Sequence, residues 1–340
     1  MSIPEVLTTE IAKAIGTKST KFQISLRKPL DFQSNNLYDI LGDGLHFIAK
    51  EYTQPDELTI APLRECNSLQ LLSSLNIAPR PVFFEPTIGP IVVYEYMEGE
   101  MWDRRPVSTS DLSKLIDVWL KINLVPADWA SRGLERSLQV TEQEFHQRLE
   151  SYNNWSSAEF RPGKRVAEVC MQLLENRHAT IKELSEHTPI LCFCRADPRF
   201  ANVIQRPNGQ LGLIDWEDSG LRDPAKEVAD VLTHPNQEDL VSWEEWQVFI
   251  EPYMSVRSKL DTEITRRMHP YLAVFPLFWL TILLRRGVRL ASTGQLADWT
   301  INGITGGLRL RRYLARALAW PSMEYENILD ELGSFEFFPE

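Results

Sequence analysis

One short segment constrains this chain more than any other. It runs Asp197-Pro198-Arg199-Phe200-Ala201-Asn202, then Val203-Ile204, then Pro207-Asn208-Gly209. A second apolar run, Leu211-Gly212-Leu213-Ile214, leads into Asp215-Trp216-Glu217. Asn-Gly between two β-rich runs is the strongest short-range hairpin signal. With Asn208 and Gly209 as a two-residue loop, Pro207 faces Gln210 and, counting outward, Asn202 faces Asp215. Side chains directly opposite stand about 5 Å apart at Cβ. An amide oxygen and a carboxylate at that separation suit Mg²⁺, which takes few protein ligands and leaves room for phosphate oxygens. Asp197 is a third oxygen-bearing group one short loop upstream, and the set suits phosphoryl transfer.

Composition narrows the setting. The 340 residues are 43% hydrophobic and 24% charged, ordinary values for a globular protein with one large core or two unequal ones. A formal net charge of −11 argues against a general nucleic-acid binder. It is compatible with a cationic small substrate, and equally with the acidity of many cytoplasmic proteins. Cys66, Cys170, Cys192 and Cys194 do not form a disulfide framework at this length. Cys192 and Cys194 lie in an apolar run with no ligand-spaced partner and read as buried reduced thiols. Met1-Ser2-Ile3-Pro4-Glu5 lacks a basic region and a long apolar core, so a signal peptide is not expected. The longest apolar run, residues 271–284, is interrupted by Pro276 and stopped by Arg285-Arg286. It falls short of the roughly 20 residues a membrane helix needs and reads as a buried core helix. The expectation is a cytoplasmic protein without a membrane partner.

Along the chain, strand-like segments at residues 21–27, 37–41 and 45–52 precede a helical stretch near 59–75. Two further strand candidates follow at 82–84 and 91–96, and Gly42-Asp43-Gly44 is a tight turn. After Glu98-Gly99-Glu100 helical patterns dominate, apart from the hairpin region. This predicts an α+β fold with a small sheet-rich domain over residues 1–98 and a larger, mainly helical domain over 99–340. Ligands favour the cleft between two such domains.

Several residues acquire meaning from their surroundings. Lys50 ends Phe47-Ile48-Ala49-Lys50, a strand apolar on both faces, so its ammonium needs an anionic partner. Glu65 is the candidate: on a helix it shares a face with Ala61, Leu69 and Leu72, where an unpaired carboxylate is costly. Spacing alone leaves open whether these two form a pair that aims Lys50 at phosphates or are separate solvated charges. Asp197 can accept a proton from a substrate hydroxyl, or simply occupy a turn before Pro198. Arg199 can neutralise charge on a transferred phosphoryl group, or be a loop arginine. Asp223-Pro224 suits a helix N-terminus, with a substrate role as the alternative. The helix at 308–318 carries Arg309, Arg311, Arg312 and Arg316, either a solvated face or a receiver for an anion.

These residues resemble the aminoglycoside phosphotransferase and choline kinase family, which has the protein-kinase-like fold. That family's catalytic segment reads H-G-D, four residues, N, then a hairpin ending I-D-W-E or I-D-F-E. This chain has Arg195-Ala196-Asp197, then Asn202, then Ile214-Asp215-Trp216-Glu217. The resemblance implies a two-lobed fold, Asp197 as catalytic base, and Asn202 and Asp215 as Mg²⁺ ligands. It likewise implies Lys50 as the ATP lysine and Glu65, in Arg64-Glu65, as its helix partner. Ser34, Asn35 and Asn36 match the phosphate-covering loop, and Glu95-Tyr96-Met97 the adenine-contacting linker, with Glu95 and Met97 as cofactor contacts. The similarity runs from about residue 30 to 232. It departs from the family pattern at Arg195, where the family has His, and in a phosphate loop without glycine.

The resulting expectation is a small-molecule kinase that moves the γ-phosphoryl of Mg-ATP to a hydroxyl of an aminoglycoside, choline or sugar-like acceptor. Asp197 and Arg199 are its catalytic residues. The alternative is a nucleotide-binding pseudokinase acting through a protein partner, to which Arg195 and the glycine-free loop lend support. A protein kinase fits less well, because no segment after Asp215 resembles an activation loop. Glu217 and Asp218 suit an amine-bearing acceptor, whereas Arg285, Arg286, Arg289 and the helix at 308–318 suit an anionic one. The sequence leaves acceptor and oligomeric state open.

Overall fold

The Asp43-Gly44 turn sets the register of the first sheet. In the computed structural model of the protein, both residues take left-handed φ values, 52° and 75°. The structure describes residues 3–16, 22–28, 35–55, 58–102, 107–126, 161–237, 240–292, 300–301 and 304–318. Two consecutive left-handed residues make the two-residue hairpin loop whose twist matches the flanking strands. It joins β2 (Asn36–Gly42) to β3 (Leu45–Glu51), with Gly42 opposite Leu45. With β1 (Gln23–Leu26), β4 (Pro81–Phe84) and β5 (Ile91–Glu95), they form an antiparallel sheet of order β1-β2-β3-β5-β4.

Period-two alternation then sorts the side chains. Ile40, Phe47, Ala49, Ile91 and Val93 share one face and bury Leu7 and Ile11 of α1 (Ile3–Ala14). Leu7 and Ile11 are i and i+4, one stripe of the helix, and each contributes about 1.5–3 kcal/mol by burial. The opposite face of β3 carries Lys50, with Leu37 and Val92 as its cross-strand neighbours. Helix α2 (Ile60–Ser73) packs against β4 and β5. Ala61, Glu65, Leu69 and Leu72 are all buried, as the one-face expectation required.

By packing, the chain divides into two compact units, Met1–Arg136 with Leu191–Arg222, and Ser137–Ile190 with Asp223–Glu340. This division differs from the boundary expected at residue 98, because residues 191–222 pack with the first sheet's unit. That unit also holds β6 (Glu100–Met101), α3 (Thr109–Asn123), β7 (Cys192–Cys194), β8 (Val203–Gln205), β9 (Leu211–Leu213) and β10 (Gly220–Arg222). The strands form a three-stranded sheet, β6-β8-β9, and a β10-β7 pair. Ser108 and Asp111 close α3 with a reciprocal capping box. None of the four cysteines is in a disulfide and all are buried, Cys192 and Cys194 among them as expected.

The second unit is helical: α4 (Arg161–Asn176), α5 (His178–Glu186), α6 (Pro224–Thr233), α7 (Trp243–Arg257), α8 (Ile264–Ser292) and α9 (Gly306–Leu318), with a small hairpin of β11 (Thr300–Ile301) and β12 (Ile304–Thr305). The apolar run read as a core helix lies inside the 29-residue α8, which extends beyond that run at both ends and passes through Pro270, Pro276 and Arg285-Arg286. Each proline removes one helical hydrogen bond. Packing against α4, α5, α6 and α9 outweighs that loss, with Leu277, Leu280, Leu283 and Leu284 buried beyond the second proline. Residues 264–287 are long and apolar enough to cross a membrane by length and composition, yet 61% of the most apolar window is buried in the protein, as in a core helix.

Candidate active site

Lys50 and Glu65 meet. Lys50 Nζ lies 2.7 Å from Glu65 Oε2, 2.5 Å from Asp215 Oδ1 and 3.1 Å from Glu217 Oε2, and only 3% of Lys50 is exposed. Glu65 is fixed by two more donors, the Tyr52 hydroxyl and the backbone N–H of Trp216 at 3.4 Å. The Tyr52 ring also lies 5.0 Å from the ammonium. Burial alone would lower the pKa of Lys50, but Asp215 and Glu65 raise it well above the usual value. Burial pushes Asp215 up, and Lys50 and Arg199 more than reverse this, so its pKa is below the usual carboxylate range. Glu217 is the third carboxylate on one ammonium. Burial pushes it up, Lys50 only partly offsets this, Asp215 and Glu65 add to it, and its pKa reaches about 8.

The hairpin brings Asn202 and Asp215 together by a route other than the expected one. The strands pair Val203 with Leu213 and Gln205 with Leu211, one residue out of the expected register. The loop has three residues, Pro207-Asn208-Gly209, closed by the Arg206 N–H donating to the Gln210 carbonyl at 2.9 Å, with Gly209 at φ 80°. The reason is Pro207: it has no N–H to give Gln210, so the closing pair moves out to Arg206. Pro207 then fits the second position of a type I turn, followed by the left-handed Gly209. Asn202 ends a 3₁₀ turn (Phe200–Asn202) and pairs through its backbone with Ile214. Asp215 reaches it because its own φ of 67° turns the chain past the strand end. Asn202 Nδ2 stands 3.1 Å from Asp197 Oδ2 and 3.4 Å from Asp215 Oδ2.

Arg195 holds this geometry. It is fully buried and donates from Nε to the Asp197 carbonyl at 2.6 Å and from Nη2 to the Ile214 carbonyl at 2.5 Å, with the Asp215 carbonyl at 3.3 Å. Its guanidinium carbon lies 5.2 Å from the Trp216 ring centre. The two left-handed residues, Ala196 at φ 69° and Asp215, both adjoin carbonyls that Arg195 grips. Such backbone persists only where its surroundings over-determine it. Arg199 is an acidic-pair bridge, with Nε 3.0 Å from Asp197 Oδ2 and Nη2 3.2 Å from Asp215 Oδ2.

The remaining candidates divide. Asn35 is buried and donates to Glu217 Oε2 at 2.7 Å, joining the cluster. Asn36 does not: one position along the strand, its side chain turns to the other sheet face and donates to Glu51 at 3.0 Å. Ser34 lies outside the described residues. The Glu95 side chain pairs with Arg80 at 2.6 Å, and its backbone N–H donates to the Arg80 carbonyl at 2.9 Å. Met97 rests on Gly212, where an added Cβ would fall 2.0 Å from the Met97 sulfur. Asp223 caps α6 by accepting from Ala225 N–H at 3.0 Å and pairs with the buried Arg267 at 2.9 Å, so its structural role accounts for it. Arg309 is buried and donates to the Pro235 carbonyl, which removes it from the basic face, and the Arg289 side chain is not among those described.

Sequence reasoning missed Glu217 as part of the Lys50 cluster, assigning it to an amine-bearing acceptor. The signal was present, since an acid two residues beyond Asp215 lies one turn from the same ammonium. Helix α2 locks this segment: Arg64 donates to the Glu217 carbonyl at 2.6 Å, and the Ser68 and Ser219 hydroxyls are 2.6 Å apart. Glu65, Asp215 and Glu217 also present oxygens within 4.8 Å of one another, with the Lys50 ammonium among them.

No curated protein gives a significant sequence match. Solved structures do match in fold. Choline kinase LicA from Streptococcus pneumoniae aligns with a TM-score of 0.59 at 18% identity, covering 92% of this chain and 98% of that one. A choline kinase from Cryptosporidium parvum aligns at 0.62 with 15% identity, covering 99% of both. Spectinomycin phosphotransferase APH(9)-Ia, solved with ADP and spectinomycin, aligns at 0.52 with 14% identity over 92% of this chain and 93% of that one. The shared architecture is the kinase-like α+β fold. The profile of the phosphotransferase enzyme family matches residues 27–248, more than half of the sequence, and the chain belongs to that family.

Proposed function

We propose that this protein is a small-molecule kinase that transfers the γ-phosphoryl group of Mg-ATP to an alcohol. The observation that carries the proposal is one connected cluster: Lys50 paired with a locked Glu65 and with Asp215, and the Asn202 amide within hydrogen-bonding range of both Asp197 and Asp215. The donor set fits a hard divalent cation. Asp215 offers carboxylate oxygens and Asn202 an amide oxygen once its side chain turns over, no thiol or imidazole is among these groups, and a second acid stands beside them. Asn202 and Asp215 would hold Mg²⁺, which when bound neutralises charge on the phosphates.

The chain's own groups perform the rest. Lys50, aimed by Glu65, binds phosphate oxygens. Asp197 orients the acceptor hydroxyl and takes its proton at a carboxylate oxygen. Arg199 is within reach of both acids and can turn to a phosphoryl oxygen. Positioning and electrostatics, rather than covalent chemistry, supply the acceleration. Arg195 weighs against the pseudokinase alternative, because its guanidinium donates to the carbonyls of Asp197 and Ile214 and so braces the backbone that carries the two acids.

The acceptor proposed is a small hydroxylated molecule, as the names of the choline, ethanolamine and spectinomycin kinases among the structural neighbours suggest. A cytoplasmic setting, where ATP is plentiful, completes the reading. A phosphate-transfer assay over hydroxylated amines, sugars and aminoglycosides tests it. Asp197→Asn is expected to lower kcat by about 10²–10⁴ with the fold intact. Undiminished turnover in that variant would refute the assignment.

A further inference from the structure

The arrangement around Arg199 carries an inference about how metal enters, and it rests on the nucleotide-binding reading above. Three donors face Asp215, the proposed metal-holding acid, and its neighbour Asp197, the proposed base. Lys50 takes Asp215 Oδ1, Arg199 lies on Asp215 Oδ2 and Asp197 Oδ2, and Asn202 points its NH₂ end at both carboxylates. The Asn202 orientation is assigned by these partners: facing two acceptor-only carboxylates, the amide nitrogen is the end that satisfies them. An Asn that ligates a metal must present its oxygen instead. The site is therefore set for an internal cation rather than an external one.

We propose that Arg199 is a built-in counter-cation that keeps free divalent metal out, so that the site accepts metal only together with nucleotide. A bare Mg²⁺ arriving at Asp215 must displace Arg199 and rotate Asn202. It leaves a largely buried guanidinium with no replacement for the pair it lost. A metal–nucleotide complex brings the replacement with it, because triphosphate oxygens accept the fork of Arg199 donors as a carboxylate does. Metal and nucleotide thus favour each other's binding, and by linkage the coupling is the same in both directions. Free metal and free triphosphate are each poor ligands on this scheme, and their complex is the good one.

The test is Mn²⁺ binding to the purified full chain, read as free aquo-Mn²⁺ by electron paramagnetic resonance, with and without a non-hydrolysable ATP analogue, each titration corrected for the Mn²⁺ that the same analogue takes up in a protein-free control. Wild-type protein should bind Mn²⁺ about tenfold or more tightly when the analogue is present. Arg199→Gln should bind Mn²⁺ alone about tenfold more tightly than wild type, and the gain from the analogue should shrink towards unity. Arg199→Lys keeps the charge but cannot bridge two carboxylates with one planar fork, and should fall between them. Asp215→Asn should lose Mn²⁺ binding in both conditions. If Arg199→Gln and Arg199→Lys bind Mn²⁺ alone no more tightly than wild type while the coupling to nucleotide persists, the counter-cation role is wrong and the kinase reading stands. If the wild type binds no Mn²⁺ even with nucleotide, both fall together.

Discussion

Arg195→Ala should destabilise the protein by about 3 kcal/mol. The structure supplies the magnitude. Arg195 is fully buried and makes two short charge-assisted bonds, at 2.6 and 2.5 Å, to the carbonyls of Asp197 and Ile214. A hydrogen bond to a charged group contributes about 1.5–3 kcal/mol, so the pair amounts to roughly 3–6 kcal/mol. The third contact, at 3.3 Å to Asp215, adds little. Truncation also removes a buried charge whose desolvation was costly, which brings the net to the lower end. Urea unfolding followed by tryptophan fluorescence is the assay, since Trp216 stacks over Arg195 and reports on its loss. With a slope of about 3 kcal/mol per molar urea, the midpoint should fall by about 1 M. A midpoint within about 0.2 M of wild type, with the slope unchanged, would show that the clamp contributes no stability and that the two left-handed turns hold themselves. Arg195→His restores one ring donor and should recover part of the loss.

Other consequences can be measured separately. Ala196→Gly, at φ 69°, should stabilise the chain by up to about 1 kcal/mol by removing the left-handed strain, in the same urea assay. Gly212→Ala would drive a methyl into Met97 and should cost about 1–3 kcal/mol, with Met97→Ala in the same chain recovering part of it. In metal-free protein, Glu217 has a pKa of about 8 against an ordinary 4.5. The folded state keeps a proton that the unfolded chain releases, so the stability this group contributes is fully present below about pH 4.5 and is lost as pH rises through about 8. Glu217→Gln should flatten that decline in unfolding measured across this range under chelator, and an unchanged slope would place the proton elsewhere. Asp215 has the opposite sign: its lowered pKa gives stability that is lost as pH falls through the folded value, so the acid limb should survive in Glu217→Gln.

The sheet and its first hairpin were legible because Asp43-Gly44 leaves the backbone one favourable turn, and every face assignment follows from it. The second hairpin was legible in place but not in register. Asn-Gly advertised a two-residue loop, and the missing N–H of Pro207 overrode it, a case of one absent donor outvoting a strong local preference. Asp197, Asn202 and Asp215 still converge, because Asp215 leaves the strand through a left-handed bend that no side-chain periodicity records. Glu65 was visible as an acid on an apolar stripe, which only a buried cation can justify. Arg195 was read as a departure from the family pattern, whereas the bonds that brace the site go to the backbone carbonyls of Asp197 and Ile214, which carry no residue signature. Helix α8 was legible as a core helix but not in its length: Pro276 and Arg285-Arg286 limit the apolar run locally, and the packing that carries the helix past them comes from elements distant in sequence.

The cluster separates permanent from exchangeable pairs, and this explains why one lysine is given three acids. Glu65 is held at both oxygens by groups that no nucleotide replaces, the Tyr52 hydroxyl and the Trp216 N–H, and it lies on a helix tied to residues 217–219. Its bond to Lys50 therefore survives ligand binding and fixes where the ammonium points. Asp215 has no comparable anchor for its carboxylate: its partners are the cations Lys50 and Arg199 and the Asn202 amide. Those contacts can each be traded, the cations for phosphate oxygens and the carboxylate for a metal. The cluster thus places its exchangeable positive charge on Asp215, the acid that the proposed reaction would use. Removing Glu65 should free Lys50 to collapse onto Asp215, so Glu65→Gln is expected to weaken nucleotide and metal binding together rather than nucleotide binding alone.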